Sequence, residues 1–435
     1  MPADWHRHEV SELISEGKLI VGDGYRAKIS ELARDGLPFA RAGNINDGFQ
    51  FLSGDCFPAE ELPRVGNKVS QPGDVVFTSK GTVGRFAFVR PETPRFVYSP
   101  QLCFWRSCDK ELIHSRFLYY WMFGREFFVQ FKGVAGQTDM AEYVSLTDQR
   151  RMHITLPSPA EQRAIARILG TLDDKIELNR RMSETLEAMT RALFKSWFVS
   201  FDPVRAKAEG RDPGLPKPLA NLFPDSFEDS ELGRIPKGWE VKPLDEIAHF
   251  QNGLALQKYR PRVGEARLPV VKIAQLRSGQ ADSGEWATAK LKPECVIDDG
   301  DIVFSWSGSL LVRIWCGGRA ALNQHLFKVT SEDYPRWFYL DAILFHLPEF
   351  QRIAAGKATT MGHIQRHHLT SALCVVPGDD LLVAASPLFS GLVDRTVAND
   401  VQCRTLVSLR DALLPKLISG ELRIEDAGRF LSGVE

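Results

Sequence analysis

The sequence predicts an α+β protein built from two similar mixed α/β units, each of which is followed by a long helix. Three observations indicate this fold. Strand-like runs with the same turns occur twice, two long helical segments match each other, and a helix follows the mixed unit in both halves. The repeat is a duplication of a whole domain with its helix, because solenoid repeats have periods of about 20–50 residues.

The strand-rich repeat centres on two matching runs, GDVVFTSKGT from Gly73 and GDIVFSWSGS from Gly300. Each contains a Gly-Asp pair, an apolar strand and a Ser/Thr-rich turn, with Gly81 and Gly308 at the same place. The flanks match as well: Leu37-Pro38 with Leu268-Pro269, YSPQLCF at 98–104 with ALNQHLF at 321–327, and Thr138 and Met140 with Thr359 and Met361. Both units are therefore expected to share one set of strands and turns.

The two helical segments also correspond, with Asn179 matching Asn399 and Leu193 matching Leu413. Ser158-Pro159-Ala160-Glu161 predicts the start of the first helix, in which Ser158 caps the helix and Glu161 completes a capping box. Pro203 is expected to stop this helix, so about forty residues at ~1.5 Å each form a rod of roughly 60 Å. The second helix is expected to begin at Ser386-Pro387 and to kink or end near Leu414, before Pro415.

Both helices carry a seam of side chains at alternating four- and three-residue spacing, which is typical of coiled coils. The seam of the first helix is Ile165, Leu169, Leu172, Ile176, Asn179, Ser183, Leu186, Thr190, Leu193 and Trp197, and that of the second is Leu392, Thr396, Asn399, Cys403, Leu406, Arg410, Leu413 and Leu417. We expect the two helices to pair with each other, with the two asparagines controlling the register. The alternative is a pair of ordinary amphipathic core helices.

Polar residues at the matched turns are the candidate contacts to DNA. Arg and Lys pair with guanine, Asn and Gln pair with adenine, and Ser and Thr reach either a base or a phosphate. The first unit supplies Arg41, Asn44, Asn46, Lys80, Thr82, Gln101, Gln137 and Thr138, and the second supplies Lys272, Gln275, Arg277, Ser307, Ser309, Asn323, Gln324, His325, Lys357, Thr359 and Thr360. Any one of them alone is equally well a solvated loop side chain. Polar residues recur at the same turns in both units, but their types differ between the units, which predicts that each unit reads a different half of a DNA site. The aromatic faces of the neighbouring helices are expected to form core.

Charge and cysteine usage limit the function classes. Lys and Arg total 54 against 55 Asp and Glu, so DNA binding requires local basic patches or partner chains. The seven cysteines include no C-x-x-C pair, which argues against a zinc ribbon or a redox motif. With a polar N-terminus and no apolar run approaching the ~18 residues of a membrane span, the sequence predicts a soluble cytoplasmic protein.

Catalytic motifs are missing from the sequence. It has no phosphate-binding G-x-x-x-x-G-K-[ST] motif and no Asn/Asp-Pro-Pro-aromatic tetrad of the kind found in adenine methyltransferases. His363, His367 and His368 lack the glutamate of an H-E-x-x-H metal motif. We therefore predict no catalytic residue and no metal site on this chain.

Four stretches resemble the conserved regions of type I restriction-modification specificity (S) subunits. They are PSPAEQRAIARIL at 157–169, LFKSWFVSFDPVRAKAEG at 193–210, LFPDSFEDSELGRIPKGWEV at 222–241 and LLPKLISGEL at 413–422. Together with the duplication, the resemblance covers essentially the whole chain. The start of the second helix departs from the first by lacking the Glu-Gln pair that follows Pro159-Ala160.

The resemblance implies two target recognition domains, at 1–156 and 239–380, separated by two long helices that form an antiparallel coiled coil. The helices would occupy 157–202 and 381–435, the latter with a C-terminal tail, and 203–238 would be a connector. It further implies that the chain is non-catalytic and reads a bipartite, asymmetric DNA site. Modification subunits with S-adenosylmethionine would methylate adenine, and restriction subunits would use ATP and Mg²⁺.

Two other functions remain open at this stage. A single-chain methylase-nuclease fusion is disfavoured by the missing nucleotide and methyl-donor motifs. A stand-alone structural or regulatory DNA-binding protein would have the same composition, but it would act without a partner methyltransferase.

Overall fold

The computed structural model describes residues 2, 4–45, 48–51, 54–79, 84–135, 144–356 and 362–424. The chain divides into two compact units: unit 1 comprises Met1–Asp174 and Val407–Glu435, and unit 2 comprises Lys175–Leu406. Each unit holds one mixed domain together with parts of both long helices. The fold class expected from the sequence is confirmed.

Unit 1 contains nine strands and four short helices among its described residues, before the first long helix. They are β1 (His6–Glu9), α1 (Val10–Ser15), β2 (Leu19–Asp23), β3 (Leu37–Ala40), β4 (Cys56–Phe57), β5 (Val75–Thr78), β6 (Phe86–Phe88), β7 (Val97–Tyr98), β8 (Leu102–Ser107), α2 (Ser115–Trp121), α3 (Arg125–Ala135), α4 (Leu146–Arg150) and β9 (His153–Leu156). The first long helix, α5, is Pro159–Phe194, and a π-helical turn, Lys195–Val199, follows it.

Unit 2 repeats this plan after a structured connector. Its elements are α6 (Asp202–Ala208), α7 (Lys217–Ala220), β10 (Phe227–Ser230), β11 (Gly233–Pro236), β12 (Glu240–Pro243), α8 (Leu244–Ile247), β13 (His249–Asn252), β14 (Arg267–Val271), α9 (Ile273–Ser278), β15 (Trp286–Thr288), β16 (Val296–Ile297), β17 (Ile302–Ser305), β18 (Leu311–Ile314), β19 (Ala320–Leu322), β20 (Leu326–Thr330), α10 (Arg336–Ala355), α11 (Arg366–Thr370), β21 (Leu373–Val376) and α12 (Asp379–Ser419).

The two units share the order of one four-stranded sheet and two further strand pairings, whereas the second sheet has three strands in unit 1 and four in unit 2. One four-stranded sheet has the order β2-β8-β5-β6 in unit 1 and β13-β20-β17-β18 in unit 2. A second sheet contains a parallel pair, β3 with β7 and β14 with β19, and an antiparallel pair joins β1 to β9 and β12 to β21. The repeated Gly-Asp precedes β5 and β17, where Gly73 and Gly300 have φ of 97° and 94°. Glycine is favoured at both turns because side chains disfavour this left-handed backbone.

Most aromatic residues of α2, α3 and α10 are core, as expected, although Phe128 of α3 and Phe345 of α10 are about half exposed. Phe117, Tyr120 and Trp121 of α2 are buried in unit 1, and Trp337 and Phe338 of α10 are buried in unit 2. A matched arginine fixes each of these helices to a long helix within its own unit. Arg116 donates to Asp174 of α5 at 2.6 and 2.8 Å, and Arg336 pairs with Asp394 of α12.

The long helices run antiparallel, which confirms the expected coiled coil. In unit 2, Asn179 Nδ2 donates to Gln402 Oε1 at 2.7 Å, and Ser183 Oγ donates to Asp400 Oδ1 at 3.1 Å. The residue numbers along α12 fall as those along α5 rise, so the two helices run in opposite directions. In unit 1, Arg410 donates to Asp173 at 2.9 Å. All seam residues are buried or half-buried, and Asn179 and Asn399 are 0% and 1% exposed.

The first helix starts where the sequence predicted, but Glu161 has another role. The Glu161 N–H donates to the Ser158 hydroxyl at 3.3 Å, which confirms the cap. The Glu161 carboxylate accepts hydrogen bonds from Trp5 Nε1 and Arg423 instead of returning to the cap. These partners are too far away in sequence for a local motif to reveal them.

The expected bounds of the second helix are wrong at both ends. The helix begins at Asp379 and continues through Pro387 and Pro415 to Ser419. Each proline removes one helical hydrogen bond, to the carbonyl four residues earlier. Those carbonyls belong to the exposed residues Val383 and Asp411, so water can solvate them. Burial of Leu417 and Ile418 holds the last turn in place.

The connector is more ordered than a loop. It contains α6, α7 and the β10–β11 hairpin, and it buries Val204, Phe223 and Ile235. By length and hydropathy alone, one helix among the described residues, α12, qualifies as a membrane span, although only 33% of its most apolar window is buried. Its seam carries Thr396, Asn399 and Arg410, and it pairs with α5, so we assign it to the coiled coil.

Candidate nucleic-acid interface

The matched turns of unit 1 meet beyond the ends of β3, β5 and β7. Because β3 and β7 are parallel, the segments that follow them leave the sheet at the same edge. Gln101 links all three segments. Its Oε1 accepts the N–H of Ala42, at 3.0 Å, and its backbone carbonyl accepts the N–H of Ser79, at 2.9 Å.

Two of the unit 1 candidates are engaged in local contacts. Asn44 Oδ1 accepts the Arg41 N–H and Asn44 Nδ2 donates to the Gln50 carbonyl, each at 2.8 Å. Arg41 is exposed and pairs with Asp55 at 2.6 Å. Both polar atoms of the Asn44 side-chain amide are therefore used to shape the turn. Arg41 and Gln101, by contrast, lie at the surface.

The corresponding turns of unit 2 form a tighter polar cluster. Ser307 Oγ lies 3.1 Å from His325 Nδ1, and Asn323 Oδ1 accepts the His325 N–H at 3.3 Å. Ser307 and Asn323 are 3% and 8% exposed, so they hold the cluster together. Gln324 is exposed, with its Nε2 at 3.3 Å from His325 Nε2. Gln324 and His325 are thus the members of this cluster that reach the surface.

A groove of about 720 Å³ lies beside this cluster in unit 2. Arg277 and Ser309 line it, together with Gly308, Leu310, Gln351 and Gly362. Lys272 pairs with Glu285, and Gln275 Nε2 donates to Asp282 at 3.4 Å. Arg277 and Ser309 are both exposed, so this groove offers a guanidinium and a hydroxyl to a ligand.

Sequence reasoning missed two contributors to these turns. Arg85, in the β5–β6 connection, donates to the Ile45 carbonyl at 3.4 Å and so ties the turn after β3 to the one after β5. In unit 2 the Gly308 N–H donates to the Gly362 carbonyl at 2.7 Å. His363 and Ser307 form an isolated antiparallel β-bridge through their backbones. Of the three histidines, His368 accepts the Gln365 N–H through its Nδ1 and caps α11, and its ring lies 4.0 Å from that of His367.

Eight candidates lie outside the described residues. They are Asn46, Lys80, Thr82, Gln137, Thr138, Lys357, Thr359 and Thr360. Within the described part of the chain, no group of three or more His, Cys, Asp or Glu residues is arranged to hold a metal ion.

Comparisons with known proteins agree on one family. Residues 13–188 match the family described as type I restriction modification DNA specificity domain. A type I restriction enzyme specificity subunit from Methanocaldococcus jannaschii is 25% identical, over 98% of this chain and 95% of its own length. The chain is similar to the type I specificity subunits over nearly its whole length. The HindI specificity subunit of Haemophilus influenzae is 22% identical over 88% of the chain and 94% of its own length.

A solved structure shares the fold of this chain. It is the S subunit of a type I restriction-modification system from M. genitalium, with a TM-score of 0.56 and 14% identity. The match covers 95% of this chain and 96% of that one. The chain therefore shares the fold of that protein.

Proposed function

We propose that this chain directs a type I restriction-modification complex to a bipartite, asymmetric DNA site in the cytoplasm, and that it has no catalytic role of its own. The observation that carries the proposal is the duplication. Both units place turns at the same strand ends, yet these turns carry different polar side chains. Two scaffolds of one design with different surface residues suit the reading of two different half-sites.

Each mixed domain, 1–156 and 239–380, reads one half-site in the major groove. Arg41 and Gln101 in the first domain, and Arg277, Ser309, Gln324 and His325 in the second, are the described candidates that face solvent. Their hydrogen-bond donors and acceptors can pair with the acceptors and donors of base edges, and their donors can pair with phosphate oxygens. The buried or locally bonded candidates, Asn44, Ser307 and Asn323, position the surface residues.

Partner subunits complete the complex. A modification subunit with bound S-adenosylmethionine methylates adenine after flipping it from the stack, and a restriction subunit uses ATP and Mg²⁺. Exposed apolar side chains on the long helices favour docking there. Leu178 and Met189 on α5 are 57% and 46% exposed, and Val383 on α12 is 72% exposed.

The test is an adenine-methylation map of cells that carry this gene with its methyltransferase partner, compared with cells that lack only this gene. We expect a split motif that disappears when the gene is deleted. An unchanged map would contradict the proposal, because methylation would then be independent of this chain.

The helices are proposed to set the unread gap between the half-sites. Inserting one heptad into both α5 and α12, at matched seam positions, lengthens the pair by about 10 Å, which corresponds to about 3 base pairs. We expect a gap longer by about that number, with both half-sites unchanged. A heptad inserted in the connector after Gly210 is the control and should leave the gap unchanged. An altered half-site with the original gap would contradict the role of the helices.

A further inference from the structure

Unit 2 contains a second cavity, of about 450 Å³, which shares Leu311 with the groove beside the matched turns. Its walls come from α5, β18, α10 and α12, all within unit 2. Leu340, Leu344, Leu347 and Val393 give it an apolar surface, and Asp341 lines it from α10. The volume lies in the range of about 300–1,000 Å³ that is common for small-molecule sites.

The cavity arises at positions where unit 1 carries larger side chains. The alignment that places Arg116 on Arg336 also places Tyr120 and Trp121 on Leu340 and Asp341. The helix alignment that places Asn179 on Asn399 also places Arg410 on Thr190 and Asp173 on Val393.

In unit 1 these larger side chains bond to one another. The Tyr120 hydroxyl donates to Asp173 at 2.6 Å, Arg410 donates to Asp173 at 2.9 Å, and Trp121 is 1% exposed. Three smaller side chains in unit 2, Leu340, Asp341 and Thr190, thus leave open the space that a phenol, an indole and a guanidinium group fill in unit 1.

Asp341 is the polar group that this space leaves unsatisfied. Its side chain is 3% exposed, and its Oδ2 has no hydrogen-bond partner among the described residues. A buried carboxylate without a donor is strongly disfavoured. The indole at the matched position in unit 1, by contrast, donates to Glu126 at 2.7 Å. At the matched position in unit 2, the Asp341 carboxyl group can accept a hydrogen bond, but no donor lies against its Oδ2 among the described residues.

Other charged groups of the cavity already have partners. Arg191 pairs with Glu187 at 3.2 Å, and Arg313 donates to the Arg277 carbonyl at 2.9 Å. Asp400 accepts the Ser183 hydroxyl at 3.1 Å and lies near Arg313 and Arg180. Three carboxyl groups and two guanidinium groups line the cavity, and among the described residues Asp341 Oδ2 is a buried carboxyl oxygen of this cavity without a hydrogen-bond partner.

We propose that this cavity binds a small aliphatic diamine, with one ammonium group on Asp341, the alkyl chain against the leucine and valine walls, and the second ammonium near Glu187 and Asp400. An ammonium group supplies up to three donors, and hydrogen bonds between charged groups are the stronger ones. The site adjoins the groove beside the matched turns, but the proposal does not depend on the function of those turns.

The test is calorimetric titration of the full-length chain, without DNA, with 1,4-diaminobutane, and with 1,4-butanediol as the uncharged analogue. We expect saturable binding of one diamine per chain and no binding of the diol. Asp341→Asn removes the negative charge at nearly constant shape and should weaken diamine binding at least tenfold. Glu349→Gln, on the same helix but outside the cavity, should bind as the unaltered chain does.

Two controls keep the result interpretable. Asp341→Leu fills the site with an apolar side chain, so it should stay folded and lose diamine binding. Retention of the methylation motif by both Asp341 variants shows that they fold and that DNA recognition is intact. Absence of saturable diamine binding, equal binding of the diol, or unchanged affinity in Asp341→Asn would each overturn the proposal.

Discussion

Units 1 and 2 share their strand order and their helix anchor, but they differ in what they bury. The anchor is retained as Arg116–Asp174 and Arg336–Asp394. Beside it, unit 1 packs Trp121 where unit 2 has Asp341 and an adjoining cavity. The comparison teaches that backbone plan and anchor suffice to define the domain, while the neighbouring core positions tolerate large changes in size and polarity.

The repeated Gly-Asp turn shows the same contrast in electrostatics. Asp74 is fully buried and accepts hydrogen bonds from Arg106, at 2.6 and 2.7 Å, and from the Tyr98 hydroxyl, at 2.6 Å. Its counterpart Asp301 is 25% exposed and pairs with Lys328 at 2.8 Å. The same residue in the same turn is therefore a core ion pair in one unit and a partly solvated one in the other.

The largest expected effect comes from removing these two aspartates. Asp74→Ala leaves Arg106 buried without its partner, which should cost about 3–5 kcal/mol. Asp301→Ala should cost about 1 kcal/mol, because water can solvate Lys328. Hydrogen exchange of peptides containing β5 and β17 measures the local stability of each unit. Equal losses in the two units would contradict the contrast.

The second prediction concerns the pH dependence of unit 2. Burial raises the pKa of Asp341 to about 7, with Glu187 reinforcing the shift and Arg191 opposing it. The folded state therefore holds this proton more tightly than the unfolded state, so stability should fall as pH rises towards 7 and then level off. From pH 5 to pH 8 the loss should be about 3 kcal/mol.

Denaturant unfolding of the unaltered chain and of Asp341→Asn at both pH values checks this expectation. Asp341→Asn has no titrating group at this position, so its free energy of unfolding should fall less between pH 5 and pH 8. Glu187 and Asp400 still titrate beside it in both proteins. Identical pH profiles would show that Asp341 does not titrate in this range.

The third prediction compares the two seam asparagines. Asn179 Nδ2 donates to Gln402, although Asn179 Oδ1 has no partner among the described residues, and Asn399 Nδ2 has none either. Asn399→Leu should raise the free energy of unfolding by about 1–2 kcal/mol, because it removes a buried unsatisfied donor. Asn179→Leu should give a smaller gain, since it also removes a hydrogen bond. Urea unfolding followed by circular dichroism distinguishes the two, and the reverse order would indicate that Asn399 is satisfied in solution.

The smallest expected effect belongs to the anchor. Arg116→Ala removes two hydrogen bonds to Asp174 and one to the Gly170 carbonyl, and it should cost about 1–2 kcal/mol. Arg336→Ala should cost less than about 1 kcal/mol, since Asp394 is 64% exposed. The same exchange experiment, read at α2 and α10, measures both losses. A larger loss at α10 would reverse the ranking.

Features with a repeated or local signal could be predicted from the sequence. The two Gly-Asp strands, the cap at Ser158 and the pairing of the helices all follow from patterns within the chain. The start of α12 was missed because burial of Leu381, Leu382 and Ala385 extends it before Ser386. The continuation past Pro415 was missed because proline rules do not account for tertiary packing of the last turn.

The candidate site was predictable only as a set of turns. The alignment of the two copies identifies which loops correspond, and the parallel strand pairs then place these loops at one edge. The alignment could not reveal that Asn44 bonds within its own turn or that Ser307 is buried. The roles of these two residues depend on contacts with other segments of the chain. The cavity beside Asp341 requires the packing of four elements, and no short motif encodes it.

The most direct test of the central claim uses the matched pair Gln101 and Gln324. Gln101→Ala and Gln324→Ala are each introduced into the complete restriction-modification system, with Asn221→Ala in the connector as the control, and adenine methylation is mapped. We predict that the first variant changes the base preference in one half of the motif only and that the second changes the other half only. A change in both halves from either variant, or uniformly weaker methylation of an unchanged motif from both, would contradict the account in which each unit reads its own half-site.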